Sequence, residues 1–190
     1  MTVLGSPPGD PVLGAVVQAA VEVTGASGGW LLAVEGDVLR VVAGAGTDGA
    51  GATPSVTVPA GSGAAGFVAA SGQPLAVSPR GDDPRFGQGM AALLGRQPTS
   101  ILAVPCLTEG AVVGVLELVD KAGGGSFSFD DVELATLLAG IAAVGMASPG
   151  GRPAVPDPSQ LGGDLERLAA AEPARYVAVA AAVAALLADG

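Results

Sequence analysis

Glu117 is a carboxylate in a place where a buried strand is expected. It stands inside AVVGVLELV, residues 111–119, whose other residues are all apolar or glycine. Side-chain alternation puts Glu117 on the same face as Val113 and Val115. Burying an unpaired carboxylate costs several kcal/mol, so this face either borders a polar cavity or a partner, or water, an arginine or backbone amides satisfy the group. The functional and the structural interpretation both stay open at this point.

Lys121, Ser128 and Asp131 have the spacing of a strand end that is fastened to a helix start. Ser128 opens the last predicted helix and Asp131 follows at a capping-box spacing, where an acid also suits the helix N-terminus. Lys121 can reach Asp131 across the glycine loop, with Phe127 buried beneath the pair. We interpret these four residues as a structural motif, because one ion pair near the surface contributes little energy but fixes geometry.

The composition removes most catalytic and cofactor chemistry. The chain contains no histidine, which excludes His-ligated haem, His-containing zinc sites and Ser-His-Asp or Cys-His catalysis. Its single cysteine, Cys106, allows neither an intramolecular disulfide nor a redox cycle between two thiols, and a buried apolar role is favoured for it. We therefore predict no cofactor, no metal and no catalytic residue. An enzymatic role for Glu117, Asp82 and Asp83 remains as an alternative.

The charge of the chain argues against nucleic acid as a partner. Eighteen acidic residues against eight Lys and Arg give a net charge of -10, and such a field repels phosphate backbones and anionic lipid. The apolar stretch 176–188 is shorter than the roughly 20 residues that cross a bilayer, and no signal-peptide pattern opens the sequence. We expect a cytoplasmic protein without membrane contact.

Hydrophobic periodicity predicts one α+β domain over residues 11–147. Asp10 caps a first helix that begins at Pro11, and a last helix spans 128–146. Two hairpins turn at EGD and TEG, as expected of an antiparallel sheet. The predicted strands cover 30–34, 38–43, 55–59, 73–78, 100–107 and 111–119, and short helices lie between Ser62 and Gly72 and over 90–95. The last helix carries an apolar face of Leu134, Leu137, Leu138, Ile141 and Val144.

Composition shifts mark the ends of this domain. Residues 1–10 are rich in Pro and Gly and predict a flexible lead-in. Residues 148–160, SPGGRPAVPDPSQ, predict a Pro/Gly-rich linker. Residues 161–190 then predict a C-terminal helical appendage, split at Pro173.

The order of these motifs resembles the GAF domain, a small-molecule sensory and regulatory family. The resemblance is carried by GVLELVDK, then five residues, FS, two more and Asp, and by GSGAAGFVAASGQPLAV and SILAVPCL upstream. Nucleotide-binding members carry an Asn-Lys…Phe…Asp-Glu signature. Here Asp120 and Val132 replace its Asn and Glu, while Lys121, Phe127 and Asp131 are kept. The scaffold is therefore implied more strongly than nucleotide binding.

The resemblance also implies where a ligand would lie. A central antiparallel sheet would carry the N- and C-terminal helices on one face, with short helices and loops roofing a pocket on the other. The implied roof residues are Phe67, Phe86, Met90 and Leu93, and the implied floor residues are Ser100, Val115 and Glu117. Plain core packing is the alternative for Phe67, Met90 and Leu93.

Two functions follow as hypotheses. The first is a non-catalytic sensory or regulatory domain that binds an unknown small molecule and signals to a protein partner in trans. The second is a homodimeric interaction module with a closed, ligand-free pocket. In both cases we expect a homodimer through the first helix and the 128–146 helix, where Gly140 and Ala142–Gly145 would give a smooth packing surface.

Overall fold

The computed structural model describes most of the predicted domain. The described residues are 10–49, 56–79 and 94–147, together with Ala170 and Pro173. The chain divides into two units, Met1–Gly151 and Arg152–Gly190, and the elements below belong to the first. Most of the predicted lead-in, linker, appendage and 90–95 helix lies outside the described residues.

Four helices, one 3-10 turn and six strands occur in the described segments. The helices are α1 (Pro11–Thr24), α2 (Gly46–Gly49), α3 (Gly63–Ser71) and α4 (Phe129–Ala147), and the 3-10 turn is Ala122–Gly124. The strands are β1 (Ala26–Glu35), β2 (Val38–Ala45), β3 (Thr57–Pro59), β4 (Leu75–Val77), β5 (Ile101–Thr108) and β6 (Ala111–Lys121). Asp10 caps α1 as predicted, because its Oδ1 accepts from the backbone N–H groups of Val12 and Leu13.

The strands form one antiparallel sheet in the order β3-β2-β1-β6-β5-β4. Helices α1 and α4 share a buried cluster on one side of the sheet, which includes Leu116 and Leu118 of β6. Helix α3 shares a second cluster on the other side, with Val115 and Val119. This arrangement confirms the predicted α+β class, with both terminal helices on one face and a short helix on the other.

The last helix turns its small residues toward the core. The inward side chains are fully buried and comprise Ala135, Ala139, Ala142 and Ala143. Leu134, Leu137, Ile141 and Val144 are exposed, and of the predicted apolar face Leu138 alone is partly buried against the core. That face therefore points outward, because alanines let the α4 backbone approach the sheet and α1 closely.

The smooth surface predicted for dimer contact is also used inside the chain. Ala142 and Ala143 are 0% exposed, and a Cβ on Gly145 would lie 2.9 Å from Leu13 Cδ2. Gly140 and Val144 are exposed. Ala142, Ala143 and Gly145 therefore pack α4 against its own domain instead of forming a dimer surface, whereas the dimer itself stays a prediction.

Glycines extend β1 beyond its predicted start at Trp30. The strand begins at Ala26, and a Cβ on Gly29 would lie 2.5 Å from Leu118 Cδ2 on the neighbouring strand. Gly46 opens the short helix α2 between the predicted strands 38–43 and 55–59, with φ +79, and a Cβ there would lie 2.5 Å from Ser27 O. A Ser-Gly-Gly run that suggests a turn is therefore strand, because two backbones must pass close together.

Candidate functional site

Glu117 lies in the middle of the sheet. Within β6 it pairs with Trp30 of β1 and with Ala103 of β5. Its neighbours on the same face, Val115 and Val119, belong to the core beneath α3. Glu117 is 4% exposed, so the carboxylate is held within an apolar layer between the sheet and α3.

Helix α3 supplies a partner for this carboxylate. The backbone N–H of Ala65 donates to Glu117. Ser62 occupies the N-cap position of α3 as predicted, yet its side chain makes no capping hydrogen bond. The acceptor for this N–H group near the start of α3 is thus the Glu117 side chain of the distant strand β6. The carboxylate also lies at the positive end of the α3 dipole.

Burial changes the protonation of Glu117. Loss of solvation raises its pKa to about 7, and the hydrogen bond from Ala65 acts in the opposite direction. Near neutral pH the protonated and ionised forms therefore coexist. A carboxyl group in this condition can donate or accept a hydrogen bond, and it pairs with a cation when ionised.

The remaining predicted pocket residues fall into three groups. Val115 is fully buried beside Glu117. Ser100 is also fully buried, but its Oγ accepts from the backbone N–H of Lys121 at 2.9 Å and is thus engaged at the end of β6. Phe67 is 53% exposed and lies outside the buried cluster beneath α3. Phe86, Met90 and Leu93, like Asp82 and Asp83 of the enzymatic alternative, lie outside the described residues.

Lys121 joins three elements at the opposite face. Its Nζ lies 2.6 Å from Asp131 Oδ2 at the start of α4 and donates to Thr24 O, 3.0 Å away, at the end of α1. The same ammonium stands 5.8 Å from the centroid of the buried Phe127 ring. Sequence reasoning proposed the contact with Asp131 but missed the one with Thr24, which depends on where α1 ends in three dimensions.

Ser128 and Asp131 form a reciprocal cap on α4. Asp131 Oδ2 accepts from Ser128 N at 2.7 Å and from Ser128 Oγ at 2.9 Å, and Asp131 N donates to Ser128 Oγ at 3.3 Å. Burial alone would raise the pKa of Asp131. The hydrogen bonds from Lys121 and Ser128 outweigh this effect and hold the pKa below its usual value.

Asp120 is a positioning residue that sequence reasoning did not single out for a structural role. Its Oδ1 accepts from Thr99 N at 2.6 Å and from Thr99 Oγ1 at 2.8 Å, and its Oδ2 lies 2.6 Å from Arg96 Nη2. Burial would raise its pKa, but these bonds from Arg96 and Thr99 lower it overall. Asp120 therefore fastens the segment before β5 to the end of β6.

The regular alternation of side chains between the two faces of the sheet is interrupted near both ends of β6. Val113 packs against the core beneath α1 and α4, contrary to its predicted face, because the register of β5 and β6 shifts between Cys106 and Leu107. At the other end, Asp120 has a left-handed φ of 53°. This residue turns the chain so that Lys121 reaches the α1–α4 side, whereas Glu117 faces α3.

Cys106 adds no accessible nucleophile to this region. Its side chain is fully buried, and burial raises the pKa of the thiol to about 12, while a hydrogen bond donated to the sulfur by the Leu116 backbone acts against the rise. Within residues 10–49, 56–79 and 94–147, no three His, Cys, Asp or Glu side chains cluster in a way that could hold a metal ion. No helix in those segments has the length and hydropathy to cross a membrane.

The sequence matches the family model of the GAF domain over residues 9–146. This match spans well over half of the chain and accords with the six-stranded antiparallel sheet between α1 and α4 on one side and α3 on the other. The chain belongs to the GAF domain family. GAF domains are generally sensory or regulatory domains that bind small molecules.

Several solved GAF domains share this fold. The GAF-B domain of DevS from Mycobacterium smegmatis is 25% identical, with a TM-score of 0.55 over 72% of this chain and 90% of that one. The GAF domain of a phosphoenolpyruvate-protein phosphotransferase (ptsP) from Coxiella burnetii is 18% identical, with a TM-score of 0.63 over 75% of this chain and 84% of that one. The second likeness shows the fold alone.

One curated relative contains a related segment. A 62-residue stretch is 36% identical to a probable 3',5'-cyclic phosphodiesterase, pde-5, from Caenorhabditis elegans. The match covers 33% of this chain and 8% of that protein. The chain therefore corresponds to a small part of this relative's length.

Proposed function

We propose that this chain is a non-catalytic, cytoplasmic sensory or regulatory domain that binds a small molecule between β6 and α3. Glu117 is the observation that carries the proposal. A buried acid in an apolar layer costs stability that an apolar residue would not. Capping α3 does not require a buried acid, because the neutral Ser62 hydroxyl stands at the N-cap position and could accept a hydrogen bond there instead. We infer that Glu117 meets a polar group of a ligand.

The proposed response travels along β6. A shift of Glu117 toward or away from α3 acts on the same strand that ends at Lys121. Lys121 in turn contacts the end of α1 and the start of α4. Through these helix ends, ligand binding on the α3 face would change the structure on the α1–α4 face. We propose that a protein partner in trans binds according to this change.

A thermal-shift screen against nucleotides, amino acids and other metabolites tests the proposal. A ligand at about 100 times its Kd should stabilise the native state by roughly 2.7 kcal/mol and so raise Tm. Glu117→Gln should reduce or abolish this shift. Glu22→Gln is the matched control, because Glu22 is an exposed residue of α1 on the opposite side of the sheet, and it should leave the shift unchanged.

Two results would contradict the proposal. A ligand that binds equally well to the Glu117→Gln variant would remove Glu117 from the site. A ligand that the wild-type chain converts to a product, with conversion lost in Glu117→Gln, would favour the enzymatic alternative over a binding domain.

A second candidate is a homodimeric interaction module whose layer beneath α3 is closed to ligands. The apolar packing around Val115 and Val119, both fully buried, favours it, as do the exposed apolar side chains of α4. No stabilisation by any metabolite class, together with a stable dimer in solution, would support this candidate over the first.

A further inference from the structure

Trp30 lies directly opposite Glu117 on the α3 face of the sheet. The two residues are a cross-strand pair of β1 and β6, a relationship that places Cβ atoms about 4.5–5.5 Å apart. Trp30 belongs to the buried cluster beneath α3 and is 2% exposed, and Glu117 is 4% exposed. The single tryptophan of the chain and a buried carboxylate are therefore neighbours within one apolar layer.

The Glu117 carboxylate has room for further hydrogen-bond donors. An ionised carboxylate offers about four acceptor positions. In the described part of the chain, the donor that acts on Glu117 is the backbone N–H of Ala65. The flanking side chains of Val115 and Val119 on the same strand are apolar. Acceptor positions are thus left for a donor that this chain does not supply there.

The described cations of the chain are committed to other acids. Every Lys and Arg in residues 10–49, 56–79 and 94–147 pairs with a carboxylate other than Glu117, at N–O distances of 2.6 or 2.7 Å, and the pairs are Arg40–Glu35, Arg96–Asp120 and Lys121–Asp131. A buried charge without a counter-charge is costly. An ionised Glu117 therefore calls for a positive group from outside these segments.

We propose that the small molecule bound between β6 and α3 is an organic cation, whose ammonium or alkylated ammonium group is held by the Glu117 carboxylate and the Trp30 indole. This inference rests on the proposed function and names the class of its ligand. A carboxylate forms charge-assisted hydrogen bonds or an ion pair with such a group. Indole is the aromatic ring that attracts cations most strongly.

The electrostatics of the domain favour a cation over the other ligand classes. An anionic group beside Glu117 would place two like charges in a layer that excludes water, where their repulsion is strong. A neutral group would leave the carboxylate without a counter-charge or require it to bind a proton. The net charge of -10 also attracts cations to the domain and repels anions.

A proton should compete with the cation for Glu117. Burial raises the pKa of this carboxyl group to about 7. No other described side chain that titrates faces it: α3 has none, Cys106 of β5 lies in the cluster on the α1–α4 side, and Glu35 of β1 is exposed at the hairpin. On β6 itself, Asp120 and Lys121 are paired elsewhere. The affinity for a permanently charged ligand should therefore rise about tenfold between about pH 6 and about pH 8.

Matched ligand pairs test the requirement for charge. The probes are amines, guanidines and quaternary ammonium compounds, each with a neutral isostere, such as choline and its analogue in which carbon replaces nitrogen, together with carboxylates of similar size. Trp30 fluorescence reports on the site directly, because the chain has no second tryptophan, and a thermal shift confirms binding. The best cation should bind at least about tenfold more tightly than its isostere.

Two variants assign the contact to the named residues. Glu117→Gln should weaken cation binding by at least about tenfold and abolish its pH dependence, while binding of the neutral isostere stays the same. Trp30→Phe keeps an aromatic ring and should weaken cation binding several-fold, as measured by thermal shift. Glu22→Gln on the exposed side of α1 is the control and should leave every value unchanged. Circular dichroism verifies that each variant is folded.

The outcomes distinguish this inference from the proposed function. Neutral or anionic probes that bind the wild-type chain as tightly as the cations, or in their place, would overturn the ligand class, and the proposed binding function would stand. Cation binding that is unchanged in both Glu117→Gln and Trp30→Phe would overturn the assigned site. A chain that responds to no cation, neutral compound or anion would overturn the inference and the proposed binding function together.

Discussion

Glu117 and Lys121 stand four residues apart on β6, yet their side chains leave the sheet on opposite faces. Strand alternation would place both on the same face. The left-handed Asp120 between them changes the direction of the chain. One strand therefore contacts α3 through a carboxylate and the α1–α4 pair through an ammonium group.

Asp120→Ala should destabilise the domain by about 2 kcal/mol, because it removes the Oδ1 acceptor of both Thr99 hydrogen bonds and the carboxylate that pairs with Arg96. Asp120→Asn is the matched control. Asparagine tolerates a left-handed φ and keeps an acceptor oxygen for Thr99, so its loss should be about 0.5–1 kcal/mol. Urea unfolding measures both values. Equal losses would show that the ion pair with Arg96 dominates instead.

Lys121→Met should lower the free energy of unfolding by about 2 kcal/mol, since Lys121 makes two charge-assisted contacts and both partners are largely buried. A double-mutant cycle with Asp131→Asn isolates the pair. Because Asp131→Asn keeps an oxygen for the Ser128 cap, the coupling energy reports the Lys121 contact. A coupling below about 0.3 kcal/mol would show that this ion pair behaves like an exposed one.

The outward apolar face of α4 shows what sequence pattern alone could not establish. Periodicity located α4 almost to the residue, because a capping box and a sustained apolar run define it. It could not decide which apolar stripe faces the core. Ala139 and Ala143 face the core in place of Leu137 because the space between α4, the sheet and α1 is narrow. The width of that space is a property of the folded domain.

The site residues divide in a similar way. Lys121, Ser128 and Asp131 are close in sequence, and their local spacing was enough to bring them together. Glu117 was conspicuous as a charge in an apolar strand, but its contact with Ala65 joins distant segments. Such a contact depends on how α3 packs on the sheet, which no local spacing reveals.

Gly14→Ala and Gly29→Ala should change stability in opposite directions. A Cβ on Gly14 would meet nothing within 4 Å, so alanine at this position within α1 should stabilise the domain by about 0.5–1 kcal/mol. A Cβ on Gly29 would lie 2.5 Å from Leu118 Cδ2 and 3.1 Å from Glu117 O, and overpacking there should cost about 1–3 kcal/mol. Thermal unfolding of the two variants provides the comparison. If Gly29→Ala left the stability of the domain unchanged, β1 and β6 would be able to move apart without loss of stability.

Glu117 should make the domain less stable as pH rises from about 5 to about 7.5. The carboxyl group has a folded-state pKa of about 7 against an ordinary value of 4.5. Between these values the folded state holds a proton that the unfolded state has released, so the free energy of unfolding falls with rising pH, by on the order of 2–3 kcal/mol in total. Urea unfolding at a series of pH values measures this slope.

Glu117→Gln should flatten the slope, because glutamine does not titrate. The chain contains no histidine, so no imidazole obscures this pH window. Asp120 and Asp131 affect stability in a lower pH range. Because their pKa values are lowered in the folded state, the stability they contribute is present above the ordinary pKa of 3.8 and is lost as the pH falls below it. If wild type and Glu117→Gln showed the same slope between pH 5 and 7.5, the carboxylate would have to be solvated, and the argument for a ligand-binding acid beneath α3 would lose its basis.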